Sequence, residues 1–503
     1  MRKIIIIFII VSFGFSVNTN RKLEIEAPML VPIVLNELKA FPTAEGFGKT
    51  TTGGRGGTIY HVTSLADTNT SGTLRYGVET LTGARTIVFD VGGYIDMTGS
   101  MKVRNGYGDL TILAHTAPSP GVSLRYGNVL VHDDNVIIRG LRIRMGKAFD
   151  YPDALPSDDP NYEPPPAFTL RGFATPLSGF IIDHCSFVWG KDGNLDIWSS
   201  GTASNMQNIT VQKSILSENV DKGYNSVNKA QRVTHWRNLL SNCSDRNPSF
   251  TGANSSAELV NNLVYNRDSG GNTSWGSLID YVNQMYLNTP QGHYVNAVEL
   301  TQGTTGGVLA NTRSYVTGSV EMDNLANIDS GVNITYNSAL NPYITTSRNM
   351  DSGVPVIATG QTMIDAILGD VGDIVNQDAV DARIIADVVA GTGARIQNES
   401  EVGGYPTLTS STRAGGFYST LADIPESFVT EHSITSANQN KINWTFGTQE
   451  VTNNVGYTAF EMYTFSLLND FGTYIATSTP TGTTAGVTTL TGKKSGNAIL
   501  IAN

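Results

Sequence analysis

Three short stretches of the 503-residue chain carry side chains whose types and spacing could do chemistry. The first is Asp192-Gly-Asn-Leu-Asp196. Two carboxylates four residues apart, with Gly and Asn between them, converge on one cation if the backbone turns. Hard oxygen donors select Ca²⁺ over zinc. Asp153, with Asp150 beside it, stands far enough upstream to stack next to them in a repeating fold. The plainer alternative is a pair of solvated surface carboxylates. The second stretch is Ser244-Asp-Arg246-Asn-Pro248. Pro restricts the chain just after Arg246, so the guanidinium could be held with its planar fork toward a carboxylate. An ordinary surface or capping arginine fits the same letters. The third is Lys222, in Glu218-Asn-Val-Asp-Lys-Gly-Tyr224, which reads as either a cation that coil stacking brings near Arg246 or a solvated lysine. His184 lies beside Asp183 in a β-rich run, where a structural histidine is the better reading.

These stretches need a frame that brings them together, and a weak internal repeat supplies it. The segments Phe180–Phe187, Ile209–Leu216, Val233–Leu240 and Ala257–Val264 share one pattern: a β-rich run, one small polar residue, then apolar residues. The small polar positions are 185, 214, 238 and 262, giving steps of 29, 24 and 24. An earlier coil shows at Asn135–Arg144. Such steps suit a β-solenoid, in which stacking buries each strand's apolar face and pairs its backbone with the coils above and below. Inward Ser and Asn at matching positions should form a ladder of side-chain hydrogen bonds. A sandwich or propeller also has many short strands, but no blade signature appears and the connecting loops vary in length. Helices are expected at Gln361–Leu368 and Asp378–Val389, giving a partly helical C-terminal segment.

Composition narrows the function. Charged residues make up 15% of the chain, with 52 Gly and 19 Pro, which excludes coiled coil and collagen. The net charge of -11 argues against nucleic acid as a partner, while a bound cation and a few basic residues could still make one positive groove. Met1-Arg-Lys followed by apolar Ile4–Phe15 reads as a signal peptide over residues 1–20, so secretion is expected, with no membrane span in the mature form. The expected division is then a β-helix over 21–345, a C-terminal segment packed on it over 346–475, and a Thr/Gly-rich tail over 476–503. Two cysteines, Cys185 and Cys243, make no disulfide framework and are expected to be free, buried thiols. Gly53-Gly-Arg-Gly-Gly57 lacks the setting of a phosphate loop and reads as a tight turn.

The order of these pieces resembles bacterial pectate lyase-type proteins. The resemblance is carried by Ala40–Gly48, Thr51–Gly57, Thr73-Leu-Arg75, Arg85–Asp90, Asn135–Arg139, Ile181–Ser186, Asp245-Arg-Asn-Pro248, Asp378–Arg383 and Glu401–Pro406. It implies a right-handed parallel β-helix and Ca²⁺-assisted β-elimination on a uronic-acid polymer, an acidic polysaccharide. By position it makes Arg246 the catalytic arginine, Lys222 the substrate-binding lysine, and Asp153, Asp192 and Asp196 the calcium carboxylates. An arginine is a weak base unless neighbours assist it, so Arg246 would either be assisted or orient a hydroxide. One departure stands out: Ser249 occupies the place of the motif's second arginine, and Thr251 offers no charge either. A catalytically impaired, glycan-binding or structural β-helix is therefore the alternative. Hydrolysis by a carboxylate pair such as Asp192 and Asp196 is a third reading.

Overall fold

The structure, a computed structural model, describes residues 38–149, 164–173, 175–268, 276–287, 291, 297–298, 312–322, 332–333, 338–421, 423–436, 445–446, 449–450, 457–470, 475–476 and 488–489. The signal-peptide region and Asp150 and Asp153 lie outside the described residues. Short strands rich in Val, Ile and Thr recur along the chain, and each pairs in parallel with the strand one coil before and one coil after it. They build three sheets. The first has eleven parallel strands, from Thr58–Val62 to Ile344–Thr345. The second runs in parallel from Val91–Asp96 to Val320–Met322, with short antiparallel strands Ser411–Thr412 and Val332–Asn333 at its two ends. The third has six strands: Met101–Val103, Val129–Val131, Phe168–Gly172, Leu195–Ser199, Val227–Lys229 and Ser249–Phe250. One coil takes a strand from each sheet in turn, which is the right-handed parallel β-helix expected from the repeat and the resemblance.

The turn from the first sheet to the second is made by one left-handed residue per coil. His184, Lys213, Arg237, Asn261 and Asn283 have φ between 48° and 55°, and Gly140 and Gly318 fill the same place at 68° and 58°. A single residue in this region bends the chain sharply without a loop. Just after it comes the expected ladder. Ser214 Oγ accepts from Cys185 N–H at 3.1 Å, Asn238 Oδ1 from Ser214 N–H at 2.9 Å, and Asn262 Oδ1 from Asn238 N–H at 2.9 Å. Asn262 Nδ2 then donates to Gln284 Oε1 at 3.1 Å, and Gln284 N–H to Ser319 Oγ at 3.0 Å. The polar repeat positions are thus satisfied by one another, which is what their burial requires. Both cysteines are buried and unpaired with each other.

The core inside the coils is apolar, from Val62 through Ile138, Phe168 and Phe187 to Tyr286. The outer face of the second sheet is covered by helices Gln361–Leu368 and Ala379–Ala390, whose Ile364, Ile367, Ile384 and Val388 pack with Ile215, Leu239 and Leu263. The second helix begins one residue later than expected because Asp378 is its N-cap and accepts from Asp381 N–H at 2.9 Å. On the outer face of the first sheet, Ile137 and Ile181 meet Phe41, Phe428 and Phe465. Buried ion pairs pin these covers in place. Arg144 binds Asp378 and Asp381 at 2.9 and 2.8 Å, and Arg139 binds Asp183 and Asp470, both at 2.8 Å.

His184 is the titratable pin. Its Nδ1 lies 2.8 Å from Asp183 Oδ2 and its Nε2 3.1 Å from Asp370 Oδ1, so both nitrogens must carry protons. Arg139 and Gln212 also bind Asp183, while Lys213 and Arg237 face Asp370. Burial opposes the imidazolium, but the two carboxylates prevail and raise its pKa. A raised pKa gives stability that is complete below the ordinary histidine value and lost as pH rises through the folded one. The melting temperature is therefore expected to fall on going from neutral to alkaline pH, and His184→Asn should flatten that decline. Parallel melting curves for the two proteins across this range would refute the assignment.

Candidate active site

With two sheets covered, the third presents its outer face as the place where polar side chains gather. Residues 190–200, 219–229 and 244–250 occupy one corner on three successive coils. Their backbones are stacked. Lys222 N–H donates to Lys191 C=O at 2.9 Å, Asn194 N–H to Asn225 C=O at 2.7 Å, Asn225 N–H to Asp245 C=O at 3.0 Å, and Ser226 N–H to Arg246 C=O at 2.8 Å. Stretches separated by 22–31 residues in sequence thereby become neighbours.

A second side-chain ladder, inside this corner, fixes the rungs. Asn194 Oδ1 accepts from Gly190 N–H at 3.0 Å, and its Nδ2 donates to Asn225 Oδ1 at 3.2 Å. Asn225 Nδ2 donates to Asn247 Oδ1 at 2.9 Å and to Leu216 C=O at 3.1 Å, and Asn247 Nδ2 donates to Cys243 C=O at 3.3 Å. All three amides are buried. Each sits two residues before Asp196, two before Val227 and one after Arg246, so the ladder holds the strand ends that carry the candidate groups. Sequence reasoning missed it. The signal was there, as an Asn at a similar offset in each of the three stretches.

Asp196 points outward from Leu195–Ser199, between Leu195 and Ile197, which point into the core. It is only 8% exposed, and its Oδ1 accepts from Val227 N–H at 3.1 Å. Burial, and then the charge of Asp192, push its pKa up to about 7, against the opposing effects of Val227 N–H and Arg246. A Cβ on Gly193 would stand 2.7 Å from Asp196 Oδ1, so a side chain there would have to displace that carboxylate. Thr169, in register with Asp196 on the preceding coil, has a buried hydroxyl with no partner among the described residues. Two crowded carboxylates beside an orphaned hydroxyl suit a hard divalent cation. Asp192 and Asp196 are thus brought together. Among the described residues no third His, Cys, Asp or Glu joins them in a metal-sized group.

Arg246 lies on the coil after Lys222. Its backbone is left-handed, at φ 59°, with its N–H bonded to Asp245 Oδ1 at 2.7 Å. Its guanidinium stacks on Tyr224, with Cζ 3.6 Å from the ring centroid. Tyr224 and Asp245 are bridge partners, so the same coil contact that pairs the backbones supplies the platform. Arg246 makes no salt bridge among the described residues, yet its charge reaches Asp196. Lys222 is exposed, one rung below, also without an ion pair among the described residues. Ser249 is half-buried, paired in register with Val227.

Removing the middle amide of the ladder should loosen the corner. Asn225→Ala would leave Asn194 Nδ2, Leu216 C=O and Asn247 Oδ1 short of a buried partner, at a cost of about 2–3 kcal/mol. Denaturant unfolding measures this, and a change below about 0.5 kcal/mol would show the ladder to be incidental.

No protein-family model matches the chain. Among curated proteins it is 32% identical over 408 residues to a probable pectate lyase C of Neosartorya fischeri, covering 78% of this chain and 88% of that one. It is 31% identical over 408 residues to a probable pectate lyase C of Aspergillus fumigatus, with the same coverage. Among solved structures it matches a pectate lyase from Bacillus sp. N165 in complex with trigalacturonate, with a TM-score of 0.43 and 14% identity, over 70% of this chain and 99% of that one.

Proposed function

The chain belongs to the pectate lyase family, and on that premise we propose that it cleaves pectate or a related uronic-acid polymer by calcium-assisted β-elimination. The observation that carries the reading is Arg246. Its guanidinium, with no ion pair among the described residues, is stacked on Tyr224, on the coil next to Lys222 and within electrostatic reach of Asp196, the buried member of the carboxylate pair with half-buried Asp192. Asp192 and Asp196 would hold Ca²⁺, with Asp153 as the third carboxylate. When bound there, the ion neutralises the substrate carboxylate and stabilises the charge that develops beside it.

The protein's own groups do the rest. Lys222 binds a sugar carboxylate. Arg246 faces C5 of the sugar and removes its proton, either directly or through a hydroxide that it orients. The C5–H electron pair becomes the C4–C5 double bond, the C4–O bond breaks, and the leaving oxygen takes a proton from water. Stacking on Tyr224 holds the guanidinium in place before substrate arrives, so little ordering remains to be done during reaction. The product carries an unsaturated sugar, which separates this reading from hydrolysis. We also propose that residues 1–20 are removed on export, that 21–345 form the catalytic β-helix, that 346–475 serve as its cover, and that 476–503 form a tail.

Incubation with polygalacturonate and Ca²⁺ should generate ultraviolet-absorbing product. Arg246→Lys, which keeps the charge but loses the planar fork, should slow this by about 100-fold or more. Product formation at the normal rate in that variant would remove Arg246 from the mechanism. Added Ca²⁺ should raise the melting temperature of the unmodified protein and leave that of Asp196→Asn almost unmoved. An equal rise in both would place the ion elsewhere.

A further inference from the structure

Two residues along the strands from Asp196, the outer face of the third sheet carries a second rung. Arg171 pairs in register with Trp198, and Trp198 with Lys229, so the three side chains stand side by side on consecutive coils. Lys229 Nζ lies 5.2 Å from the Trp198 ring centroid, and its aliphatic stem rests on Gly252, one coil further, where a Cβ would meet Lys229 Cγ at 3.0 Å. Arg171 lies 5.5 Å from the ring of Phe173, itself 47% exposed. Phe173 in turn packs edge-on against His132.

The protein has a net charge of -11, and many of its arginines, such as Arg75, Arg139, Arg144, Arg348 and Arg383, sit in ion pairs. Arg171 and Lys229 have no carboxylate partner among the described residues. Arg171 also lies close enough to His132 to repel its protonated form. Burial, followed by the charges of Arg171, Lys102 and Arg104, lowers the pKa of His132 to about 4. A positive strip kept unpaired on an acidic protein is arranged to meet an anion.

We infer that Arg171, Trp198 and Lys229 form a binding row for the polymer outside the bond that is cut, with the two cations taking sugar carboxylates on either side of a ring seated against the indole. The inference rests on the lyase reading for its substrate class. Its own content is the row and the dependence on chain length that the row creates. Arg171 and Lys229 are two coils apart, about 9–10 Å along the sheet, a distance comparable to two pyranose residues. A charged edge and an apolar face presented together match a uronate, which has a carboxylate on one edge and C–H bonds on its ring face. Lys229 also stands on the coil next to Thr251, where no charge is available, and so places a cation beside that neutral stretch.

Arg171→Gln, Lys229→Gln and Trp198→Ala test the row, with melting curves confirming that each variant folds. The glutamine changes lie at exposed or half-exposed positions and keep the test valid if the tryptophan variant unfolds. For each glutamine variant, KM for long polygalacturonate should rise about tenfold, the value of one charge-assisted hydrogen bond, with kcat changed much less. The advantage of the long polymer over trigalacturonate should shrink to match. An unchanged KM, or equal losses on polymer and trimer, would overturn the row while leaving the lyase reading intact. Binding is read separately, as retardation in a gel containing polygalacturonate, in the Arg246→Ala background. Failure of the lyase reading would appear as no turnover by the unmodified protein on any uronate polymer. In that case, retardation lost on Arg171→Gln and Lys229→Gln still supports the row, and retardation unaffected by them refutes it.

Discussion

Parallel pairing between coils is the constraint on which the rest of this molecule depends. Each strand is too short and too apolar to stand alone, and its N–H and C=O groups find partners only on the coils above and below. This pairing sets a fixed rise per coil and stacks like positions on one another. Chemistry then becomes a question of which residues share a vertical line. Asp196, Val227 and Ser249 share one, and Arg171, Trp198 and Lys229 share another. Asp245 meets Tyr224 by the same rule, and so Arg246 finds its aromatic platform.

Charge is divided by location. Inside and beneath the covering segments, arginines meet carboxylates at short range, and this joins the C-terminal segment to sheets whose strands lie more than 150 residues away in sequence. Breaking such a pair leaves a bare buried charge, so each acts as a strict requirement more than as a source of net stability. On the third sheet the arrangement is reversed, with cations that have no ion pair among the described residues and a carboxylate pair crowded together. The two patterns distinguish the covered faces from the third sheet more clearly than net charge does.

Much of the fold was legible in the sequence because the repeat is physical. The β-rich runs, the small polar residue after each, and the helix Gln361–Leu368 stand where periodicity and composition put them. The candidate site was legible only in part. Asp192, Asp196, Lys222 and Arg246 announce themselves as chemically capable residues within three positions of a Gly or Pro. Tyr224, Trp198 and the ladder Asn194–Asn225–Asn247 do not, since an aromatic or an Asn in a loop has many ordinary uses. Their meaning depends on coil register, and register is set by three-dimensional stacking that loops of unequal length conceal. The buried arginines carry no signal of their own for a related reason: the partners of Arg139 and Arg144, Asp470 and Asp378, come from the far end of the chain.

The interior ladder from Cys185 to Ser319 has spacings of 29, 24, 24, 22 and 35 residues, yet its hydrogen bonds stay in register throughout. The loops absorb every difference. Such a scaffold is indifferent to the length of its connections provided each coil returns to the same left-handed corner. Segments of new sequence can therefore be grafted between strands without shifting the rungs beside them. In this architecture, diversification can occur by insertion as readily as by substitution, and two members with nearly identical stacks could present quite different surfaces to a polymer.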